Sequence, residues 1–286
     1  MKKTWLILDV SFLCHRAFHA MPELSHKGKS SGVVFGFFKT LVDLKDEFNT
    51  DRVVFCFEHK HLFRRDVYPT YKQRRHRQGA PPEEQEARKA IGIQISELQN
   101  RHLPRIGFKN IFSFRGMESD DIMAKIAQEE SDEIVLVTGD SDLLQCLRSN
   151  VSIYSPIKRM RITEESFTNK YGIRPSQWAV AKAIAGCTSD EVEGIRGVGE
   201  LTALRYLRGE LKHTSATYHR IRSRQGLATI RRNRQLIELP YEGCPTPTLE
   251  EDEVDHDEWR KVCGLLGMKS IAGHPPIATM RRGQKK

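Results

Sequence analysis

Ile134-Val135-Leu136-Val137-Thr138-Gly139-Asp140-Ser141-Asp142 is the stretch that decides the fold. Four apolar, mostly β-branched residues read as a buried strand. A threonine-glycine turn follows, and then two carboxylates. Two further runs have the same form: Trp5-Leu6-Ile7-Leu8 ends on Asp9, and Val53-Val54-Phe55-Cys56-Phe57 ends on Glu58. In an open α/β sheet, ligands bind outside the carboxyl ends of the strands. Three such runs in one parallel sheet gather their acids at one edge. Two unit charges about 4 Å apart repel by roughly 4 kcal/mol at an effective dielectric near 20. Hard divalent cations with oxygen ligands relieve that repulsion.

Working outward, a helical pattern follows the first run: Val34, Phe37, Phe38, Leu41, Leu44 and Phe48 recur at helical spacing before the second. A strand, a helix and a strand in succession favour a parallel pair. Pro81-Pro82-Glu83-Glu84 reads as a helix start, with Ile91, Ile95 and Leu98 on one face. A third strand is expected over 111–114. Ser119 is the expected N-cap of a helix carrying Ile122, Met123 and Ile126, and 151–154 forms another strand. Beyond about residue 160 the pattern turns helical. Thr163 caps one helix, Pro175 starts a second, and the turn Gly194-Ile195-Arg196-Gly197-Val198-Gly199 opens a third with Ala203, Leu204 and Leu207. The acidic stretch 242–258 reads as an exposed loop and the basic tail 281–286 as disordered. The expected division is an α/β domain over 1–160 and a helical region over 161–286.

Composition narrows the function. The 286 residues, 38% apolar and 29% charged, suit one large or two smaller globular domains. Lys plus Arg exceed Asp plus Glu by 46 to 37, a net charge of +9, which points to a polyanionic partner or to cationic solubility. Six scattered cysteines without a C-x-x-C pair argue against a structural zinc site, and the histidines lack an H-E-x-x-H pattern. The start leads straight into a strand without a signal-peptide core, and no apolar run approaches a membrane span. A cytoplasmic protein is the expectation.

The chemistry concentrates in Glu118-Ser119-Asp120-Asp121. Helix capping alone accounts for acids there. Convergence of Asp9, Glu58, Glu118, Asp120, Asp121, Asp140 and Asp142 is more than capping requires. Such a cluster suits two divalent ions about 3.5–4 Å apart across a phosphodiester. Mg²⁺ fits because it keeps waters and needs few protein carboxylates. Residues 60–77 interleave Phe63, Tyr68 and Tyr71 with Arg64, Lys72 and Arg75 among other cations. Aromatics stack on unpaired bases while cations track phosphates; the plainer alternative is a solvated charged loop. Gly197-Val198-Gly199 before a helix containing Thr202, with Arg196, Arg205 and Arg208 nearby, points to phosphate contact at a helix start or to an ordinary tight turn.

Together these segments resemble the 5′-nuclease family, over roughly residues 5–240. Leu8-Asp9 with Arg16-Ala17-Phe18-His19-Ala20 is similar to its first strand and helix. The segment from Phe63-Arg64-Arg65 to Tyr71-Lys72 and Arg75 is similar to its arch, placed at about 60–100. Met117-Glu118-Ser119-Asp120-Asp121 resembles the E-A-D-D element, Thr138 to Asp142 the T-x-D-x-D element, and Gly194 to Ala203, within about 184–208, the helix–hairpin–helix motif. The resemblance implies a PIN-like α/β fold with a mostly parallel sheet, an arch and a helical C-terminal region. The implied activity is a metal-dependent 5′→3′ exonuclease and 5′-flap endonuclease on DNA, leaving 5′-phosphate and 3′-hydroxyl. Asp9, Glu118, Asp120 and Asp140 would hold a first Mg²⁺, and Asp142 and Asp190 a second, with Mn²⁺ able to substitute. Arg16 and Arg64 would hold substrate, and Tyr71, Lys72 and Arg75 would sit in the arch, the cations steadying the scissile phosphate. Backbone oxygens of Ile184, Ala185, Glu193, Ile195 and Val198 would hold K⁺ against duplex phosphate. The implied partners are DNA with 5′ ends, flaps or branches, an RNA–DNA hybrid, and a polymerase in trans, with the protein a monomer.

Several departures qualify the resemblance. Glu58 stands for the usual Asp, and Glu193 and Leu201 for a usual proline and lysine. Gly186-Cys187-Thr188-Ser189-Asp190-Glu191 stands for G-D-x-x-D-N. A thiol is a poor ligand for a hard ion, so either the second metal position is weakened or Glu191 compensates. A DNA-binding member of the fold with feeble catalysis and a PIN-like ribonuclease are the alternatives.

Overall fold

A computed structural model describes residues 3–73 and 81–276. Its centre is a six-stranded sheet in the order β5-β4-β1-β6-β7-β8. The strands are β1 (Thr4–Asp9), β4 (Arg52–Cys56), β5 (Ile111–Phe112), β6 (Glu133–Val137), β7 (Val151–Ser155) and β8 (Met160–Ile162). β1 pairs in parallel with β4 and β6, β4 with β5, and β6 with β7; only β8 runs antiparallel, at the edge. Two small hairpins lie outside this sheet: β2 (Ser25–His26) with β3 (Lys29–Ser30), and β9 (Gly186–Cys187) with β10 (Val192–Glu193).

Both faces of the sheet are buried, as a parallel sheet requires. Leu6, Leu8, Val53, Phe55, Val135 and Val137 face one core, against α1 (Val10–Ala20) and α2 (Gly32–Phe48). Their alternate neighbours Trp5, Ile7, Val54, Cys56, Ile134 and Leu136 face the other, against α6 (Ser119–Glu129) and α8 (Trp178–Ala185). The period of two along each strand thus puts one apolar set on each layer.

Between β4 and β5 the chain forms α3 (Phe63–Val67) and α4 (Pro82–Glu97), the latter starting at Pro82 with Glu83 and Glu84 in its first turn. α4 runs on through a π-helical turn, Leu98–His102, into α5 (Leu103–Ile106). Arg75, assigned above to the arch, lies outside the described residues. The helical half contains α7 (Glu164–Tyr171), capped by Thr163, α9 (Glu200–Leu207), α10 (Ala216–Arg222) and α11 (Arg224–Ile237). Leu236 and Ile237 of α11 pack with Ala179 and Ala183 of α8 and with Leu62 and Tyr71. This third cluster ties the base of the arch to the helical half.

Several boundaries differ from the reading of the sequence. β5 stops at Phe112. Pro175 opens a 3₁₀ turn, Pro175–Gln177, and α8 starts at Trp178. The N-cap of α6 is Glu118, not Ser119, in a box in which Asp121 accepts from the Glu118 N–H at 2.9 Å. The stretch 242–258 is a largely exposed loop as far as Asp255, as expected, but it is tethered to the core. Asn110, buried at the end of the arch connection, donates to Glu250 O at 2.8 Å and accepts from Glu250 N at 2.9 Å. Glu253 N and Asp255 N bond Gly107 O and Ile106 O. Asp255 then caps α12 (His256–Leu265), whose Trp259 is fully buried against Phe38. The C-terminal end therefore completes the core beneath α2.

Candidate metal and nucleic-acid site

The strand order reverses at β1: the chain builds β4 and β5 on one side of it, then β6 and β7 on the other. A crevice opens beyond the strand ends at such a switch point. Asp9 stands there as the last residue of β1 and the N-cap of α1, accepting from Phe12 N at 3.1 Å. Its other oxygen accepts from Thr138 Oγ1 at 3.1 Å, and Ser119 Oγ lies 3.4 Å from Oδ1. One carboxylate therefore joins β1, the turn after β6, and the start of α6. Gly139 leaves room for this: a Cβ there would come within 2.4 Å of the Phe12 ring. Asp140 accepts from Asp142 N at 2.8 Å, which turns the acid pair over the sheet edge.

Burial, and then neighbouring acids, raise the pKa of Asp9, Asp120 and Asp142. Burial pushes Asp9 up to about 6, opposed by its hydrogen bonds from Phe12 and Thr138, while Asp140 and Glu58 add to the rise. Burial, then Asp140 and Asp9, hold Asp120 well above the usual carboxylate range. Asp142 is pushed up to about 6 by burial and by Asp140. Each of Asp9, Glu58, Asp120, Asp140 and Asp142 thus lies within electrostatic reach of at least one other of them. Among the described residues, Asp9, Asp120 and Asp140 form no ion pair with a lysine or arginine. A crowded, all-oxygen donor set with this charge fits a hard divalent ion.

Glu118 behaves differently. Burial raises its pKa, but Lys72 and Arg64 outweigh burial and hold it low. Tyr71 donates to its Oε2 at 2.8 Å and the Lys72 ammonium to its Oε1. Lys72 has a left-handed backbone (φ 53°), its N–H bonds Asp190 O at 3.0 Å, and its ammonium lies 3.8 Å from Asp190 Oδ1. Tyr71 and Lys72 are buried at the arch base, not displayed on an exposed arch.

Two expected site residues are sealed away from the crevice. Asp121 is 0% exposed; Arg64 grips both its oxygens at 2.6 and 2.7 Å, and Glu118 N and Tyr241 N bond them as well. Asp121 has no oxygen left to offer an ion. Arg64, 1% exposed, also donates to Leu236 O at 2.8 Å, so it cannot grasp substrate as expected. The pair instead pins α3 to α6 and to the end of α11. Arg16 is half-buried on α1 and donates to Thr40 Oγ1 at 3.3 Å.

The second group comprises Asp142, Cys187 and Asp190, whose ligand atoms all lie within 4.8 Å of one another. The Cys187 thiol donates to Asp190 Oδ2 at 3.2 Å and meets Ser189 Oγ at 3.1 Å. Burial, helped by Asp190 and Asp142, pushes that thiol up to about 11, so it stays protonated at neutral pH. Lys182 Nζ sits 3.0 Å from Asp142 Oδ1, an ion pair without hydrogen-bond alignment. This donor set does not fit Mg²⁺: it offers a neutral soft sulfur and carboxylates already facing ammonium groups.

Further along, Gly197 adopts φ 74° and Gly199 caps α9, with Arg196, Gly197 and Gly199 exposed, Thr202 half-buried and Val198 buried. Arg220 donates to Arg196 O at 2.8 Å and lies where a Cβ on Gly197 would come within 2.9 Å. Sequence reading missed Arg220; α10 and α11 also carry exposed Arg222, Arg224, Arg231 and Arg234. Their signal was the density of arginines over 220–234. Of the five backbone oxygens assigned to K⁺, Glu193 O already accepts from Arg232 and Asn233 at 2.8 and 2.9 Å, which removes it from the set. Ile184 O and Ile195 O accept from Ile195 N and Val198 N.

Two motif strings also escaped the sequence reading, and neither builds a site. His15 and His19 stand four apart on α1, but no third metal-binding side chain joins them among the described residues. Gly28-Lys29-Ser30-Ser31-Gly32 spells G-x-S-x-G, yet Ser30 belongs to the exposed two-residue strand β3 and its hydroxyl accepts from Gln94.

Comparison with known proteins places this geometry. Residues 4–172 match the family described as 5′-3′ exonuclease, N-terminal resolvase-like domain. The chain belongs to that family. It is 32% identical over 257 residues to DNA polymerase I of Mycobacterium bovis, covering 83% of this chain and 27% of that protein. It is 31% identical over 244 residues to the thermostable DNA polymerase I of Thermus thermophilus, covering 83% of this chain and 28% of that protein. This 5′-3′ exonuclease family member thus spans little more than a quarter of either polymerase. Its fold matches the bacteriophage T5 flap endonuclease solved with DNA and metal ions, at a TM-score of 0.70 and 20% identity over 83% of this chain and 90% of that one. No described helix is long and apolar enough to cross a membrane.

Proposed function

We propose that this protein is a divalent-metal-dependent 5′→3′ exonuclease and 5′-flap endonuclease that cuts DNA to 5′-phosphate and 3′-hydroxyl ends. The observation that carries the proposal is the meeting of Asp9, Asp120 and Asp140 at the sheet's switch point, where burial and the neighbouring acids raise the pKa of Asp9 and Asp120. Family membership supports it, as does the likeness to a flap endonuclease whose structure holds DNA and metal ions.

Asp9, Asp120 and Asp140, with Glu118 adjoining, would hold the ion; Mg²⁺ suits the all-oxygen set and Mn²⁺ would substitute. Such an ion supplies a Lewis acid that activates water against a phosphodiester. Thr138 and Ser119 orient Asp9 by hydrogen bonds, so the carboxylate is positioned before an ion arrives. Lys72 stands beside the acids with its ammonium on Glu118, close to where a scissile phosphate would meet the ion. Arg75 belongs with it in the arch by sequence. Arg196, Gly197, Gly199 and Thr202, flanked by Arg220, would hold the duplex by its phosphates. The likeness to DNA polymerases supports action beside a DNA polymerase.

A 5′-labelled flap duplex incubated with Mg²⁺ tests the proposal. Cleavage near the branch, stopped by chelator and by Asp120→Asn, is the expected result. Intact flap under Mg²⁺ and Mn²⁺, with DNA bound, would overturn it.

A further inference from the structure

We infer that this protein holds one divalent ion rather than two, and that the Lys182 ammonium supplies the positive charge at the second position. The inference rests on the metal-dependent reading above and concerns how many ions that reading needs.

Charge and donor type set the two positions apart. At the first position Asp9, Asp120 and Asp140 converge and form no ion pair with lysine or arginine among the described residues. At the second, Asp142 and Asp190 are the two carboxylates, and an ammonium faces each. Lys182 Nζ is 3.0 Å from Asp142 Oδ1, and Lys72 Nζ is 3.8 Å from Asp190 Oδ1. The third donor is the Cys187 thiol, neutral and spending its proton on Asp190. A dication here would meet little net negative charge and one soft donor, and hard ions bind sulfur poorly.

Lys182 is built into this place. It projects from α8 toward the turn after β6, where Ser141 Oγ lies 3.4 Å from its ammonium. Its side chain is 12% exposed and that of Asp142 13%, so solvent screens the pair weakly. A fixed ammonium beside the first ion can stabilise charge developing on a leaving oxygen, as oriented cations do elsewhere. It does so without a second ion having to bind. Lys182 is thus assigned as a charge-supplying residue beside the ion-holding acids.

Counting bound Mn²⁺ by electron paramagnetic resonance, on the whole protein at neutral pH, tests this without reference to turnover. One tightly bound ion is expected for the unaltered protein, and two for Cys187→Asp combined with Lys182→Met. Two ions in the unaltered protein, with affinities within roughly tenfold of each other, would overturn the inference and leave the nuclease reading intact. No bound ion would instead overturn the nuclease reading. Cadmium supplies a second arm that needs no multiple variant. A thiolate-to-cadmium absorption band that disappears in Cys187→Ser would show a working sulfur site, and the inference would fail. Absence of that band supports it.

Discussion

Asp9 shows how a single residue couples folding to metal binding. Its carboxyl is held near 6, above the ordinary value of 3.8, and so is that of Asp142. The folded protein therefore binds protons that the unfolded chain has released. The contribution of these two groups to stability without metal is present in full below about 4 and is lost as pH rises through about 6. The ion needs Asp9 ionised, so its affinity moves the opposite way. Calorimetric titration of Mn²⁺ should show affinity dropping by roughly tenfold between pH 7 and pH 5 as Asp9 takes up its proton. Lys72 supplies another prediction at this scale. Being 4% exposed, it contributes little to long-range attraction. Lys72→Ala should lower single-turnover cleavage by far more than it weakens duplex affinity; equal losses would make it an attraction residue. The strand-end acids were legible because a run of period two followed by a turn fixes where a side chain goes. Arg64 and Asp121 were misread because the sequence shows their charges but not that they are buried against each other.

Elements are held in place by contacts that motif spacing cannot reveal. Removing one partner from a buried ion pair leaves the other charge stranded, typically at 3–5 kcal/mol. Arg64→Ala should therefore destabilise the protein by about 3–5 kcal/mol in denaturant unfolding, since α3, α6 and the end of α11 meet on that guanidinium. Loss of under about 1 kcal/mol would make it a surface residue after all. Trp259→Ala should cost about 3–5 kcal/mol by emptying the core beneath α2. Helix starts at Pro82 and Thr163 were readable because their chemistry is local. The 242–258 stretch was legible as an exposed loop, but its tethering was not: only the fold brings Asn110 to Glu250. The glycine turn before α9 was placed correctly as a turn, whereas its arginine partner comes from α10, which no spacing rule links to it.

At the scale of the molecule, an acidic crevice at the sheet edge and an arginine-rich helical half divide the work. The surplus of +9 charges is not spread evenly, since α10 and α11 carry a run of exposed arginines. DNA affinity should fall linearly with the logarithm of salt concentration, and Arg196→Ala should reduce that slope by about 1 without altering single-turnover cleavage. The reversal of strand order at β1 is what brings Asp9, Asp120 and Asp140 together, and the tension among them is the centre of this account. Thermal unfolding of the unaltered protein and of Asp9→Asn at pH 7.5, each with chelator and with Mg²⁺, measures that tension directly. Asparagine preserves the helix cap and removes the charge, while turning the oxygen that accepts from Thr138 into an amide donor. The variant should melt higher than the unaltered protein in chelator, and only the unaltered protein should gain stability from Mg²⁺. Equal gains from Mg²⁺, or a variant that melts lower in chelator, would contradict it.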